Sequence, residues 1–434
     1  MVTQTEVQTV RSVLNERTNR QLLYYLDTCT RCAICKDSCH QYVTTKDVLY
    51  LPAYRAELLR RIWRRYFTIE GRLIPSNVEA HAPTDRDLDL LYKTMYACTV
   101  CRRCMYYCPF SIDTGWFTSL ARAMMVALGR GSQILLELAD AAIMKGENID
   151  MFRDIIKDGL NDAEHSLKRI TGDPEARIPT EKKGADILYV ALAGTHTILP
   201  MAVIFHEAKA DWCLSLFEAA NYGYFSGDVS RACKVADRIV DEAKRLGVKR
   251  VVLPECGHAY KVLKFLYESW KAEELPFKVL HAVEIMNDYL QQGRINLKPG
   301  SYKAPVTYHD PCQVGRNGRF YEEPRNVVKA SAADYREMTP NRAKNWCCGG
   351  GGGLVAESEF DYIRFKGGEK KLEQIKNTGA EIVVTPCETC RLQLDGLREH
   401  YQQQFKISSL MDWAIYAMDL PGKPDGWEPG ITLE

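Results

Sequence analysis

Thirteen of the 16 cysteines fall into three groups whose spacing could do chemistry. Two groups share one pattern: Cys29-Thr-Arg-Cys32-Ala-Ile-Cys35-Lys-Asp-Ser-Cys39, and Cys98-Thr-Val-Cys101-Arg-Arg-Cys104-Met-Tyr-Tyr-Cys108-Pro109. Three thiolates at two-residue gaps can wrap three corners of an iron–sulfur cubane while the fourth points away. Where two such runs occur, the fourth cysteine serves the other cluster. The expected ligand sets are therefore Cys29, Cys32, Cys35 and Cys108 for one [4Fe–4S] centre, and Cys98, Cys101, Cys104 and Cys39 for the other. C-x2-C pairs alone would also suit zinc, but zinc has no use for a third cysteine repeated identically. His40 stands where a proline usually follows the fourth cysteine, a departure that weakens the loop geometry and leaves the ligands intact. Such clusters pass single electrons; they make no bonds.

The third group is Cys312, the pair Cys347-Cys348 followed by Gly349, and Cys387-Glu-Thr-Cys390. Five cysteines are one more than an ordinary cubane needs. Adjacent cysteines cannot both reach one iron comfortably, which favours separate irons or a bridging position. Five glycines run from Gly349 to Gly353. They suit a backbone that passes close to a bulky inorganic cluster and its substrate, with Gly349 and Gly350 nearest to it. A flexible loop or a phosphate cradle are the other readings, although no GxxxxGK[ST] is present.

These residues need elements to hold them. In residues 1–130, Val13–Asp27, Ala53–Phe67 and Leu88–Tyr96 carry apolar residues at helical spacing. The 58 residues between Cys39 and Cys98 read as helical, unlike the short, strand-rich spacer of a compact two-cluster protein. A helical connector and linker, 131–183, runs through Ile134–Met144 and Met151–Leu160 to Gly172, Pro174 and Pro179. Beyond it, short apolar runs at Asp186–Leu192, Val248–Leu253, Ala304–Tyr308 and Glu381–Thr385 alternate with amphipathic helices, the pattern of an α/β domain with a parallel sheet. Lys244–Pro254 matches Lys376–Pro386 at a constant offset of 132 residues, with Gly247 over Gly379. The repeat divides this region into halves, 184–300 and 301–434, whose strand C-terminal ends would share one crevice. The expected class is α plus α/β: a helical N-terminal domain, then a pseudo-twofold α/β domain.

Composition excludes several functions. The 434 residues are 46% hydrophobic and carry 57 basic against 56 acidic side chains. That rules against disorder and against a phosphate-backbone partner. The polar Met1–Arg20 segment lacks a secretory pattern, so the chain is expected in a reducing cytoplasm where clustered cysteines bind metal. Ile187–Phe205 lacks charge and nearly matches a membrane span, but Gly194, Thr195, His196, Thr197 and Pro200 interrupt it. It reads as a strand, a loop and a helix start. Arg55, Arg60, Arg61, Arg64 and Arg65 surround Leu58, Leu59, Ile62 and Trp63 on one helical segment. That segment is either a docking face for an anionic membrane or partner, or a solvated basic face over a packed one. Cys213 and Cys233 read as buried small hydrophobes in helices.

The third group, preceded by a helical two-cluster domain, resembles the cysteine-rich CCG signature of heterodisulfide reductase. The helical ferredoxin type also occurs beside succinate dehydrogenase modules. The layout is similar to HdrD, a heterodisulfide reductase component that is itself like the C and B components joined. It is also similar to the K component of the Dsr membrane complex and the HdrD-like members of the Tmc and Hmc complexes. The resemblance covers about 20–130 and 185–420. It implies that Cys312, Cys347, Cys348, Cys387 and Cys390 hold a noncubane [4Fe–4S] cluster that acts on disulfides.

The first half-repeat departs from that signature. At the 132-residue offset Glu255 stands over Cys387 and His258 over Cys390, while Glu218–Gly227 replaces the CCG loop and Cys256 is one residue off register. A second noncubane cluster is therefore not expected. Glu255 and His258 would instead supply protons across the crevice to a disulfide under reduction, or form a structural pair closing the strand end. His309 is expected to support the cluster rather than bind it. The expected protein is an oxidoreductase subunit acting on sulfur groups. Electrons would come from a cytochrome b type, quinone-reactive membrane partner, which would hold the chain on the inner face of the cytoplasmic membrane. The substrate would be a thiol, a disulfide or a sulfur-carrier protein. The competing expectation is a pure electron-transfer subunit.

Overall fold

The computed structural model describes residues 2–144, 153–192, 195–424 and 426–430. The chain divides into two compact bodies, neither continuous in sequence. The first comprises Met1–Glu137 with Tyr222–Val229 and Trp346–Leu372, and the second Leu138–Asn221, Ser230–Asn345 and Glu373–Glu434.

The first body is helical. The periodic segment expected over Val13–Asp27 is two helices, Gln4–Arg17 and Arg20–Thr28. The cut falls at Asn19, whose side chain accepts the Leu22 N–H at 2.9 Å and starts a new helix. Helix Pro52–Phe67 begins on a proline, which lacks only an N–H that the first turn would leave unpaired. Its Leu59 and Ile62 pack with Leu14, Leu91, Met95 and Phe117 in one core. Phe225, Leu354, Phe360 and Ile363 from the two later segments join that core. Each such side chain contributes roughly 1.5–3 kcal/mol when fully buried, enough to anchor the segments that carry them.

The basic helix corrects an expectation. Arg55 and Arg60 are almost wholly buried. Arg55 donates to Gln41 Oε1 at 2.6 Å and Arg60 to Glu57 Oε2 at 2.6 Å. Arg64 and Arg65 are spent on the carbonyls of Val78 and Gly71. Arg55 and Arg60 brace the interior, because a buried guanidinium must find acceptors, and only Arg61, Arg64 and Arg65 stay part-exposed.

The second body holds eight short parallel strands: β1 (Ile187–Tyr189), β2 (Trp212–Leu214), β3 (Arg250–Leu253), β4 (Lys278–His281), β5 (Tyr302–Tyr308), β6 (Ala332–Tyr335), β7 (Ile382–Val384) and β8 (Lys406–Ser408). They form two four-stranded sheets of the same order, β2-β1-β3-β4 and β6-β5-β7-β8. The four apolar runs seen in the sequence are the central pair of each sheet. Cys213 lies in β2 and not in a helix; Cys233 is helical and half-buried. The uncharged stretch from Ile187 is β1 followed by helix Ile198–Glu207, with Pro200 in the helix's first turn. Gly194, and Met151 of the connector, lie outside the described residues. Among the described residues no helix is long and apolar enough to cross a membrane.

The strand ends of the two halves meet: the Glu388 N–H after β7 donates to the Glu255 carbonyl after β3 at 2.8 Å. Gly257 permits this approach, since a Cβ there would lie 2.5 Å from the Gln313 Cβ.

Candidate metal centres

Both cysteine runs of the first body have the same unusual backbone. Arg31 and Ala33 have φ of 58° and 59°, and Val100 and Arg102, at the matching positions, have 52° and 60°. A left-handed residue costs on the order of 1–2 kcal/mol, and a β-branched valine tolerates it worst. Strain repeated at the residues flanking the second cysteine of each run marks loops bent around something.

The thiols converge. Cys29, Cys32, Cys35 and Cys108 line one cavity. Cys39 shares the electrostatic surroundings of Cys98 and Cys101, as does Cys104. Burial pushes Cys35 up to about 12, with Cys29 and Cys108 adding to the shift. Burial likewise raises Cys39 and Cys104, with the neighbouring sulfurs contributing. Sulfurs gathered this closely repel one another as thiolates. A multinuclear iron core would supply the missing positive charge, so the donor set fits [4Fe–4S] centres.

The second loop is enclosed by side chains that sequence reading passed over. Arg55 reaches Cys39 Sγ at 4.0 Å. Arg103 donates to the Ser38 carbonyl at 2.8 Å and lies 3.4 Å over the Trp346 ring, beside Cys347. Arg122 is buried and donates to the carbonyls of Met95, Tyr96, Cys98, Phe225 and Gly352. One guanidinium thus ties the second cysteine loop to both segments that return from later in the chain.

The glycine run is needed at Gly352, with φ of 70°, where a Cβ would lie 2.7 Å from the Cys98 carbonyl. The Gly349 N–H is directed at Cys347 Sγ, 3.5 Å away. Gly350 is buried and its carbonyl accepts from Val355. His40 is buried against Thr99 and Gly367. Burial opposes its charge, but the Cys347 and Cys101 sulfurs outweigh this and push its pKa up to about 10. The replacement of proline by histidine at position 40 was the one sequence signal for this cluster.

The third cysteine group is divided: Cys347 and Cys348 belong to the first body, and Cys312, Cys387 and Cys390 to the second. All five are buried. In the second body the His309 ring lies within 4.8 Å of the Cys390 sulfur. Asn345 Nδ2 is 3.3 Å from His309 Nδ1.

Glu255 is held by groups beyond the strand end. Glu255 Oε1 accepts the Leu410 N–H at 2.8 Å, and Oε2 faces Arg391 at 3.8 Å. Burial raises the Glu255 pKa to about 8; Arg391 opposes the shift, and Asp412 and Glu388 add to it. Its carboxyl is held protonated near neutrality. His258 is buried in the next helix, Gly257–Lys261. Glu388 in turn approaches His196 Nε2 at 3.7 Å and Arg391 at 3.1 Å. A line of ionisable groups therefore runs from a part-exposed histidine to the buried Glu255.

Comparison with known proteins follows this division of motifs. A 4Fe-4S dicluster domain matches residues 25–112, and the CCG cysteine-rich domain matches 306–395. The Hdr-like menaquinol oxidoreductase iron-sulfur subunit 2 of Archaeoglobus fulgidus is 27% identical over 91% of this chain and 80% of the relative. The HdrD component of the dihydromethanophenazine:CoB–CoM heterodisulfide reductase of Methanosarcina mazei is 25% identical over 92% of this chain and 96% of its own. The chain is thus similar to HdrD-like proteins along most of its length. Like those relatives, it is an iron–sulfur oxidoreductase chain with a dicluster region and a CCG region. The iron-sulfur subunit from Archaeoglobus profundus is 27% identical over 93% of this chain and 81% of its own.

Proposed function

We propose that this chain relays electrons through two cubane [4Fe–4S] centres to a noncubane [4Fe–4S] centre that reduces, or in reverse forms, a disulfide. The cubanes are assigned to Cys29, Cys32, Cys35 and Cys108, and to Cys98, Cys101, Cys104 and Cys39. The CCG motif assigns Cys312, Cys347, Cys348, Cys387 and Cys390 to the third centre, with Gly349 and Gly350 leaving room beside it. When bound, that third centre would supply a sulfur-reactive iron face. The chain's own residues gather the ligand thiols and keep a protonated carboxyl at Glu255, with His258 nearby in sequence, for the two protons that a disulfide needs on becoming two thiols. The observation that carries this reading is the matched strained backbone of the two cysteine loops, the second of which closes on the CCG glycine run at Gly352.

Electron delivery requires a partner, and the relative's name, a menaquinol oxidoreductase subunit, points to a quinol-linked complex. A cytochrome b type subunit would then hold the chain on the inner face of the cytoplasmic membrane. One observation favours the competing role of electron transfer without sulfur chemistry. The first half-repeat carries Glu255 and His258 where the second carries Cys387 and Cys390, so the crevice has one CCG cysteine set and not two.

Iron analysis and EPR of anaerobically prepared protein separate these readings. About twelve irons per chain, with an oxidised-state signal that changes on adding thiol, is the expected result. About eight irons, or a signal indifferent to thiol, refutes the disulfide role.

A further inference from the structure

His40 follows a cubane ligand, yet its ring points to chemistry further along the chain. It is 2% exposed. Nδ1 lies 3.3 Å from the Gly367 carbonyl, and Nε2 lies 3.2 Å from Thr99 Oγ1. The same hydroxyl is 3.5 Å from Cys347 Sγ. A His40 ring nitrogen and the sulfurs of Cys101 and Cys347 all lie within 4.8 Å of one another. The site is shaped for the ring, because a Cβ on Gly367 would come within 2.7 Å of Nδ1. A second link runs beside it, where Arg103, next to Cys104, stacks on Trp346, next to Cys347.

We propose that His40 is a positioning residue that couples Cys101 of the second cubane to Cys347 of the CCG pair, giving a single electron a contact path between them. The proposal rests on the reading of both cysteines as cluster ligands. Hydrogen-bond donors aimed at ligand sulfurs favour the more negative, reduced state and so raise the potential of the centre they touch. With Cys347 bound as a thiolate, the Thr99 hydroxyl, which also meets His40 Nε2, would turn to donate to its sulfur. A His40 ring nitrogen lies within 4.8 Å of Cys101 Sγ at the other end of the gap. In the step itself the Cys101 side loses one electron and the Cys347 side gains it; no bond changes and His40 keeps its proton. A proline at this position could do none of this.

The test is an EPR-monitored redox titration of the anaerobic full-length chain at one fixed pH, with iron and zinc counted. In His40→Phe the reduction equilibrium constant of the second cubane should fall about tenfold, or about 59 mV for one electron. The first cubane should not move, and His40→Gln, which keeps a donor, should restore most of the loss. If both cubanes shift together, or neither shifts, the proposal is overturned. Should His40→Phe fail to load iron, Thr99→Val exchanges one buried hydroxyl for a methyl and is judged by the same criteria. Wild-type protein that carries zinc in place of its second cubane would show His40, Cys101 and Cys347 serving as a mononuclear site. That result refutes the ligand reading itself, before any variant is made.

Discussion

At Cys32 the first cysteine loop reaches solvent, with Ile34 and Phe110 exposed on the rim of the same cavity. The second loop has the same spacing and the same pair of left-handed residues, but it is walled in by Arg55, Arg103, Arg122 and His40. The cysteine pattern thus specifies what each loop can hold. Its neighbours specify what surrounds the held group: solvent at the first loop, and the Cys347 segment at the second.

The comparison breaks most visibly through the ligands themselves. Cys104→Ser should remove about four irons and lower the melting temperature of the loaded chain sharply, because the arginines and His40 packed around this loop would lose the anionic centre they face. Cys32→Ser, at the surface, should lose iron with a much smaller change in melting temperature. Equal losses of stability in the two variants would mean that the difference in enclosure has no energetic weight.

A second contrast uses the arginines. Arg122→Met strands several buried carbonyls and should cost about 3–5 kcal/mol in thermal or denaturant unfolding. Arg31→Ala at the first loop removes partly exposed ion pairs with Glu57 and Glu79. It should cost less than about 1 kcal/mol. A small effect at Arg122 would show that water replaces the clamp.

The last contrast lies in the second body, where Glu255 stands in place of a cysteine. Its folded pKa is raised, so the folded chain binds the proton more tightly than the unfolded one. Stability should therefore fall as pH rises from about 4.5, the ordinary glutamate value, through about 8. Glu255→Gln should flatten that slope, which is at most about 1.4 kcal/mol per pH unit. Melting curves taken at pH 5 through pH 9 would check it, and an unchanged slope would place the titrating group elsewhere.

Much of this architecture was legible in the chain. Cysteine spacing is a local property, and so is the β-branched run of a strand buried on both faces, which is why β1, β3, β5 and β7 stood out. The edge strands did not: β4, β6 and β8 mix polar with apolar residues, β4 and β8 beginning on exposed lysines, and β2 is only the three residues Trp212–Leu214. The break at Asn19 was hidden because apolar periodicity continues through it, and only the side-chain cap marks it.

By itself the sequence determined which residues can bind iron, that the second region is duplicated, and that its first half lacks the CCG cysteines. Only the tertiary structure decided that Arg55 and Arg60 are interior struts, that Glu255 faces Arg391, and that 222–229 and 346–372 belong with the helical body. The physical reason is distance along the chain. A buried arginine or histidine is stabilised by acceptors that can lie 100 or more residues away, as with Arg122 and Gly352. No local pattern of residue types records such a partner.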